Sequence, residues 1–136
     1  MQNPPPVQAP KSSTGLDENI AALLSYVFGW VSGLIFFLIE KDSRLVRFHA
    51  MQSILLNVLA AILLIGAWVI SMIIWVITTQ LPGILAMIIN LVVGLVWIVV
   101  SVGLLIAVVM CLVKAFQGQY FKLPIIGNFA EKFSAK

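Results

Sequence analysis

Residues 48–113 form a run of 66 positions without one Asp, Glu, Lys or Arg. A helix needs about 20 apolar residues to cross about 30 Å of hydrocarbon, so this run is long enough to cross more than once. The rest of the chain agrees with that reading. It is 62% hydrophobic and 10% charged, with a mean hydropathy of +1.11, where soluble domains carry about 25% charged residues. Too few charges are present to coat a globule, so the second solvent is lipid. High apolar content excludes a wholly disordered chain, and the single Cys111 excludes a disulfide-stapled scaffold.

Length alone does not fix the number of crossings, because 66 residues make about 99 Å of helix, enough for two long spans or three short ones. Turn chemistry decides. The strong breaker is Thr78-Thr79-Gln80-Leu81-Pro82-Gly83, in which Pro removes a backbone donor and Gly permits positive φ. Charge agrees with two crossings. Lys41, Arg44 and Arg47 precede the run, Lys114, Lys122, Lys132 and Lys136 follow it, and the turn has none. Basic flanks share the cytoplasmic side, so an even number of spans lies between them.

Upstream, residues 20–39 are a further uncharged stretch, and their length predicts a span of their own. The expectation is an all-α integral membrane protein with three transmembrane helices at about 20–39, 50–79 and 84–113. Its N-terminus lies outside and its C-terminus in the cytoplasm. Residues 1–15, with Pro4-Pro5-Pro6 and Pro10 among polar residues, read as a disordered arm ahead of a single transmembrane domain over 16–136. Residues 1–15 lack the basic start and small-residue cleavage site of a secretory signal. After the third span, Gly118 and Pro124 interrupt the helix. Ile125, Ile126, Phe129 and Phe133 then recur opposite Asn128, Glu131, Lys132 and Lys136, which predicts a short amphipathic interfacial segment over 124–133.

Helices that meet in lipid select small and polar side chains. Ser25, Gly29 and Gly33 recur every four residues, and Gly29 to Gly33 is a GxxxG, suited to an internal packing groove or to a seam between two copies. Asn57 in the second span, and Asn90 with Gly94 in the third, mark further packing faces. If the turn centres between Leu81 and Pro82, residues at equal depth have numbers adding to about 163, which sets Asn90 opposite Ile73 and near Ser71, and Trp97 opposite Gly66.

At the entrance to the second span, Glu40, Arg44, Arg47, His49 and Gln52 form the most distinctive cluster. His49, Gln52, Ser53 and Asn57 share a helical face, with Arg44 and Arg47 at headgroup level. This is an interfacial anchor or a partner-binding surface. Catalysis finds no support: one His and one Cys cannot make a metal set, and no nucleophile with a base or Gly-rich phosphate loop is present. No cofactor or metal is expected. The partners expected are anionic headgroups, other membrane proteins or a second copy. Nucleic acid is not among them, because the eight Lys and Arg sit at the ends of apolar runs.

Glu40-Lys41, Val46-Arg47-Phe48-His49-Ala50 with Gln52-Ser53, and the tail Lys114-Ala115-Phe116-Gln117-Gly118 with Lys122-Leu123-Pro124-Ile125-Ile126-Gly127 carry a resemblance. Over residues 14–133 the chain resembles small prokaryotic integral membrane proteins of unknown function related to the import component of the chloroplast inner-envelope translocon. The resemblance implies a helical membrane protein and, in the plastid branch, a part in protein import. That branch is described with four spans, one more than expected here. Together these readings favour a non-catalytic protein that packs with or assists other membrane proteins or protein translocation. The alternative is a small oligomeric pore or carrier, favoured by the polar faces and the GxxxG.

Overall fold

The computed structural model describes residues 10–135. It is all-helical: α1 (Glu18–Val27), α2 (Trp30–Ile39), α3 (Arg44–Thr78), α4 (Gly83–Phe116) and α5 (Ile126–Ser134). With 35 and 34 residues, α3 and α4 are about 52 and 51 Å long. Both are long and apolar enough to cross a membrane. They are joined antiparallel by the turn at Thr79 to Pro82. There Gln80 and Leu81 N–H donate back to the Ile77 and Thr78 carbonyls at 3.1 Å, and Pro82 stands at the N-cap of α4.

Residues 20–39 do not form the single span expected of them. The helix stops at Val27, and Gly29 turns the chain with φ of +61° before α2 begins. A residue with a Cβ is strained in that conformation, whereas glycine is not. At ten residues each, α1 and α2 are about 15 Å long, half of what a crossing needs. They fold back on one another. Ser13, ahead of α1, donates through its N–H and Oγ to the Glu40 carboxylate, beyond α2, at 3.0 and 2.7 Å. Both ends of the hairpin therefore lie together, at the end of the molecule where α3 begins.

The Pro-rich arm falls largely on residues 1–9, outside the described residues. Residues 10–15 are held in place. Ser12 N–H donates to Leu16 O at 2.8 Å, Glu18 N–H to Pro10 O at 3.0 Å, and the backbones of Lys11 and Asp17 pair in an isolated antiparallel β-bridge.

The core sits at this same end, which we call the base. Ala21, Ala22 and Tyr26 of α1 meet Leu45 and Val46 of α3 and Cys111 and Ala115 of α4, with Phe36, Phe121 and Leu123 packed around them. Alanines at these contacts let the helix backbones approach closely. The start of α1 also meets the tail beyond α4, since a Cβ on Gly118 would stand 2.7 Å from Asn19 Oδ1. The short amphipathic stretch expected at 124–133 is helical, as α5, packed on α3 through Ile126, Gly127, Ala130 and Ser134. Ile125, Phe129 and Phe133 stay exposed.

Away from the base the picture changes. Between residues 57 and 110, Thr78 is the one buried residue. Valine, isoleucine, leucine and tryptophan side chains point outward all round the α3–α4 hairpin. A helix pair that is apolar on every face belongs in lipid.

Candidate functional site

At the N-terminus of α3, Ser43 caps the helix, its Oγ accepting from Val46 N–H at 3.2 Å. This orients the first turns so that His49, Gln52 and Ser53 face inward, all three fully buried. His49 Nε2 lies 2.9 Å from the Gln119 carbonyl, which can only accept, so Nε2 carries the proton. Nδ1 then accepts from the Tyr26 hydroxyl at 3.1 Å. The imidazole thus joins α1 to the tail beyond α4, and Phe48 stacks edge-on against it at 5.2 Å.

One turn further, the Gln52 amide nitrogen donates to the Phe121 carbonyl at 2.9 Å and reaches Cys111 Sγ at 3.3 Å and the Tyr26 oxygen at 3.4 Å. Gln52 Oε1 is buried without a partner. Side chains of α3 therefore hold two tail carbonyls that no helix would satisfy, as water-poor surroundings require.

A second polar group closes the α1–α2 turn. Ser53 Oγ donates to Gly29 O at 3.1 Å, Ser32 Oγ donates to Ser25 O at 3.0 Å, and Ser32 Oγ in turn accepts from Phe28 N–H at 3.1 Å. Ser25 bonds back to Ala22 O at 2.6 Å, and Asn57 to Ser53 O at 2.8 Å. The backbone groups freed by the turn are thus paired by serines. Gly29 faces Asn57 Oδ1, 3.0 Å from where a Cβ would stand, and Gly33 faces Ala50 O at 2.9 Å. The two glycines do different work. Gly29 is the turn, not part of a helical stripe, and Gly33 lets α2 touch the α3 backbone.

Glu40 is the third element. Its buried carboxylate accepts from Ser13 N–H and Oγ, and from the Asp42 and Ser43 N–H groups at 3.0 and 2.9 Å. Burial pushes its pKa up. The N–H donors of Ser43, Ser13 and Asp42 and the Ser13 hydroxyl outweigh that and hold it below the ordinary carboxylate value. Arg47 donates to Glu40 O at 3.1 Å and to Ser134 O at 3.3 Å, its guanidinium lying 4.9 Å from the Phe37 ring centre. Arg44 is exposed.

The structure therefore gathers Ser25, Gly29, Gly33, Asn57, Glu40, Arg47, His49 and Gln52 at or near the base. It does not gather Asn90 or Gly94. Both are exposed on α4, and a Cβ on Gly94 would meet nothing within 4 Å. Asn90 donates to Thr78 Oγ1 at 3.1 Å and to Ala86 O at 2.8 Å, and Trp97 Nε1 to Ser71 Oγ at 2.8 Å. In both cross-helix pairs the numbers add to 168, not the expected 163. Helical side chains lean toward their own N-terminus, so in an antiparallel pair a contact joins residues displaced from level positions. Tyr26, Cys111, Ser13 and the Gln119 and Phe121 carbonyls were not foreseen, because their partners lie 23 or more residues away in sequence.

Among the described residues no three of His, Cys, Asp and Glu come together to hold a metal. The arrangement is one of anchoring. Three side-chain groups tie the arm, the folded-back hairpin, the tail and α5 to the first turns of α3.

Known proteins are similar to this chain. A family model described as the magnetosome magnetite crystal formation protein family, MamF and MmsF, matches residues 16–130. A UPF0132 membrane protein of Methanocaldococcus jannaschii is 41% identical over 124 residues, covering 91% of this chain and 94% of the relative. A second from the same organism is 34% identical, covering 88% and 71%. One from Archaeoglobus fulgidus is 35% identical, covering 86% and 95%. No solved structure matches. None of these names mentions a translocon. With a match across almost all the described helices and relatives named as membrane proteins, the chain belongs to the MamF and MmsF family.

Proposed function

We propose that this chain is a non-catalytic membrane protein in which α3 and α4 cross the bilayer, the α1–α2 hairpin re-enters one leaflet, and the charged base faces the cytoplasm. There it supports or docks other membrane components. One observation carries this reading. Lys11, Lys41, Arg44, Arg47, Lys114, Lys122 and Lys132 all belong to segments at the base, and the turn at the far end has no charge. A third crossing would have put Lys11 opposite the others. Folding back brings it to the same side, as the preference of basic residues for the cytoplasm favours.

The N-terminus then lies in the cytoplasm, not outside. In a Cys111→Ala background, Thr14→Cys and Ala135→Cys should react with a membrane-impermeant thiol reagent from the same side, and Gln80→Cys from the other. Labelling of Thr14→Cys from the Gln80 side would restore three crossings.

The magnetite-related activity in the family's description would call for clustered acidic or histidine donors. Here Glu40 is taken up by the donors of Ser13, Asp42 and Ser43. That favours a structural role over mineral contact. Within one chain a pore is disfavoured too. The groove between α3 and α4, about 310 Å³, is lined by Ala67, Ile70, Ile74, Val92, Val96 and their apolar neighbours, with Ser71 occupied by Trp97. A conducting path needs a continuous polar lining. Assistance to protein translocation rests on the resemblance alone, and in-membrane crosslinking from exposed Arg44 should capture translocating chains if that reading holds.

A further inference from the structure

Three elements that do not cross the membrane all lie at one end of the two that do. The tip of the α1–α2 hairpin, at Gly29, is level with Ser53 and Asn57, nine to thirteen residues along α3 from Arg44. That depth is about 14 to 20 Å, the headgroups and roughly one leaflet. The hairpin carries no charge from residue 19 to residue 39, and Phe28, Trp30, Ile35 and Leu38 are more than half exposed. Those side chains need lipid around them. Trp30, at the start of α2, still lines a groove with Val58, Ala61 and Leu64 of α3, and neither α1 nor α2 continues past it, which leaves the outer parts of α3 and α4 to each other. One leaflet therefore receives four helices and the other receives two.

A helix is about 10 to 12 Å across with its side chains, so the hairpin adds roughly 200 Å² to the base leaflet and nothing to the opposite one. An independent feature loads the same leaflet. Held at the base by Arg47 to Ser134 O, α5 leaves Phe129 and Phe133 exposed on successive turns, with Ile125 ahead of them. Lys132 lies next to Phe133 in sequence, and Lys122 pairs with Glu131 of α5 at 2.6 Å. An amphipathic helix of this kind inserts at the boundary of headgroups and acyl chains and responds to curvature.

We propose that the chain is a one-sided membrane wedge that partitions to curved bilayer and places its base on the convex face. The inference rests on the re-entrant reading of α1 and α2. A convex leaflet has more area per lipid on its outer side, and a protein broader on that side fills the area that lipids otherwise leave strained. The partner is the lipid surface itself, distinguished by its shape.

Reconstitution of the full chain into vesicles of one lipid composition tests this, with diameters from about 30 nm to about 400 nm read one vesicle at a time. Protein density per unit membrane area should rise at least about twofold toward the small end, and protease should reach the C-terminal tail from outside in most copies there, against near-random orientation in large vesicles. Density independent of diameter overturns the proposal, as does a tail facing the lumen of small vesicles. Phe129→Ser with Phe133→Ser, both on the exposed side of α5, should lower the enrichment while leaving the helical content and melting curve unchanged. Thr14→Cys and Ala135→Cys labelling in intact cells, where insertion fixes one orientation, separates the two readings. If both label from one side and no enrichment is seen, the wedge alone is wrong; if they label from opposite sides, the re-entrant hairpin is wrong and the wedge falls with it.

Discussion

Around the base, Glu40, His49, Gln52 and Ser53 are fully buried, and each is bonded to a segment far away in sequence. In the outer half of the α3–α4 hairpin, Thr78 is the one buried residue between 57 and 110, and the polar links across the two helices are Asn90 to Thr78 and Trp97 to Ser71. The same two helices thus live under two regimes. At the base, backbone groups freed by turns must be paired within the protein, which selects particular side chains at particular positions. In the outer half the surroundings are as apolar as the side chains, so burial between helices gains little and almost any apolar residue serves.

The largest expected effect breaks or confirms this contrast at two glycines. Gly33→Leu drives a side chain into the Ala50 carbonyl, 2.9 Å from the Cβ position, while Gly94 faces open space. The first should cost at least about 3 kcal/mol or abolish folded yield, and Gly94→Leu should stay within about 0.5 kcal/mol in detergent melts. Equal effects would erase the distinction. Next in size, His49→Ala leaves the Tyr26 hydroxyl and the Gln119 carbonyl unpaired. A loss of about 2 to 3 kcal/mol follows, with faster tryptic cleavage at Lys122 as the tail lets go.

The third effect is electrostatic. Because the folded pKa of Glu40 is held below its ordinary value of 4.5, the carboxylate contributes stability that is fully present above that value. This contribution is lost as pH falls through the lower, folded value. Glu40→Gln should lower stability by about 1 kcal/mol at neutral pH and flatten the acid limb of the melting profile. An unchanged acid limb would assign the pH response elsewhere. Smallest of all, Trp97→Phe removes the bond to Ser71 in the outer half and should cost about 0.6 kcal/mol. A loss as large as that of His49→Ala would show the outer half to be specified as tightly as the base.

Much of this was legible from charge and turn chemistry. The stretches expected to be helical at 50–79, 84–113 and 124–133 are so, as α3, α4 and α5, and the first two are long and apolar enough to cross a membrane. The turn at Pro82 and Gly83 divides the long run. What failed was residues 20–39, where a charge-free stretch of twenty has the right length to cross and a glycine in it reads as a packing position. Gly29 is a turn because Ser53 and Ser32 pair the carbonyls that the turn sets free, and one of those serines lies on another helix. Lys11 is the described basic residue that a third crossing would set apart from the others, and it carries weight in the two-crossing proposal for that reason. The buried links through His49, Gln52 and Glu40 were only half legible. Their positions on one face of α3 and in the loop before it were visible, but the carbonyls and hydroxyls that meet them depend on how the chain returns.

The turn between α3 and α4 has a consequence for how the protein reaches its place. It holds Thr79, Gln80, Leu81 and Pro82, with no ionised group, and on the proposed topology, with α1 and α2 folded back, it is the loop among the described residues that passes through the bilayer. Carrying an Asp, Lys or Arg to the middle of a membrane costs about 2.5 to 3.5 kcal/mol per residue on insertion scales. On the two-crossing topology proposed above, Lys11, Asp17 and Glu18 never make that passage, and α3 and α4 enter as one apolar hairpin, tip first, with the charges of the described residues left on the side of entry.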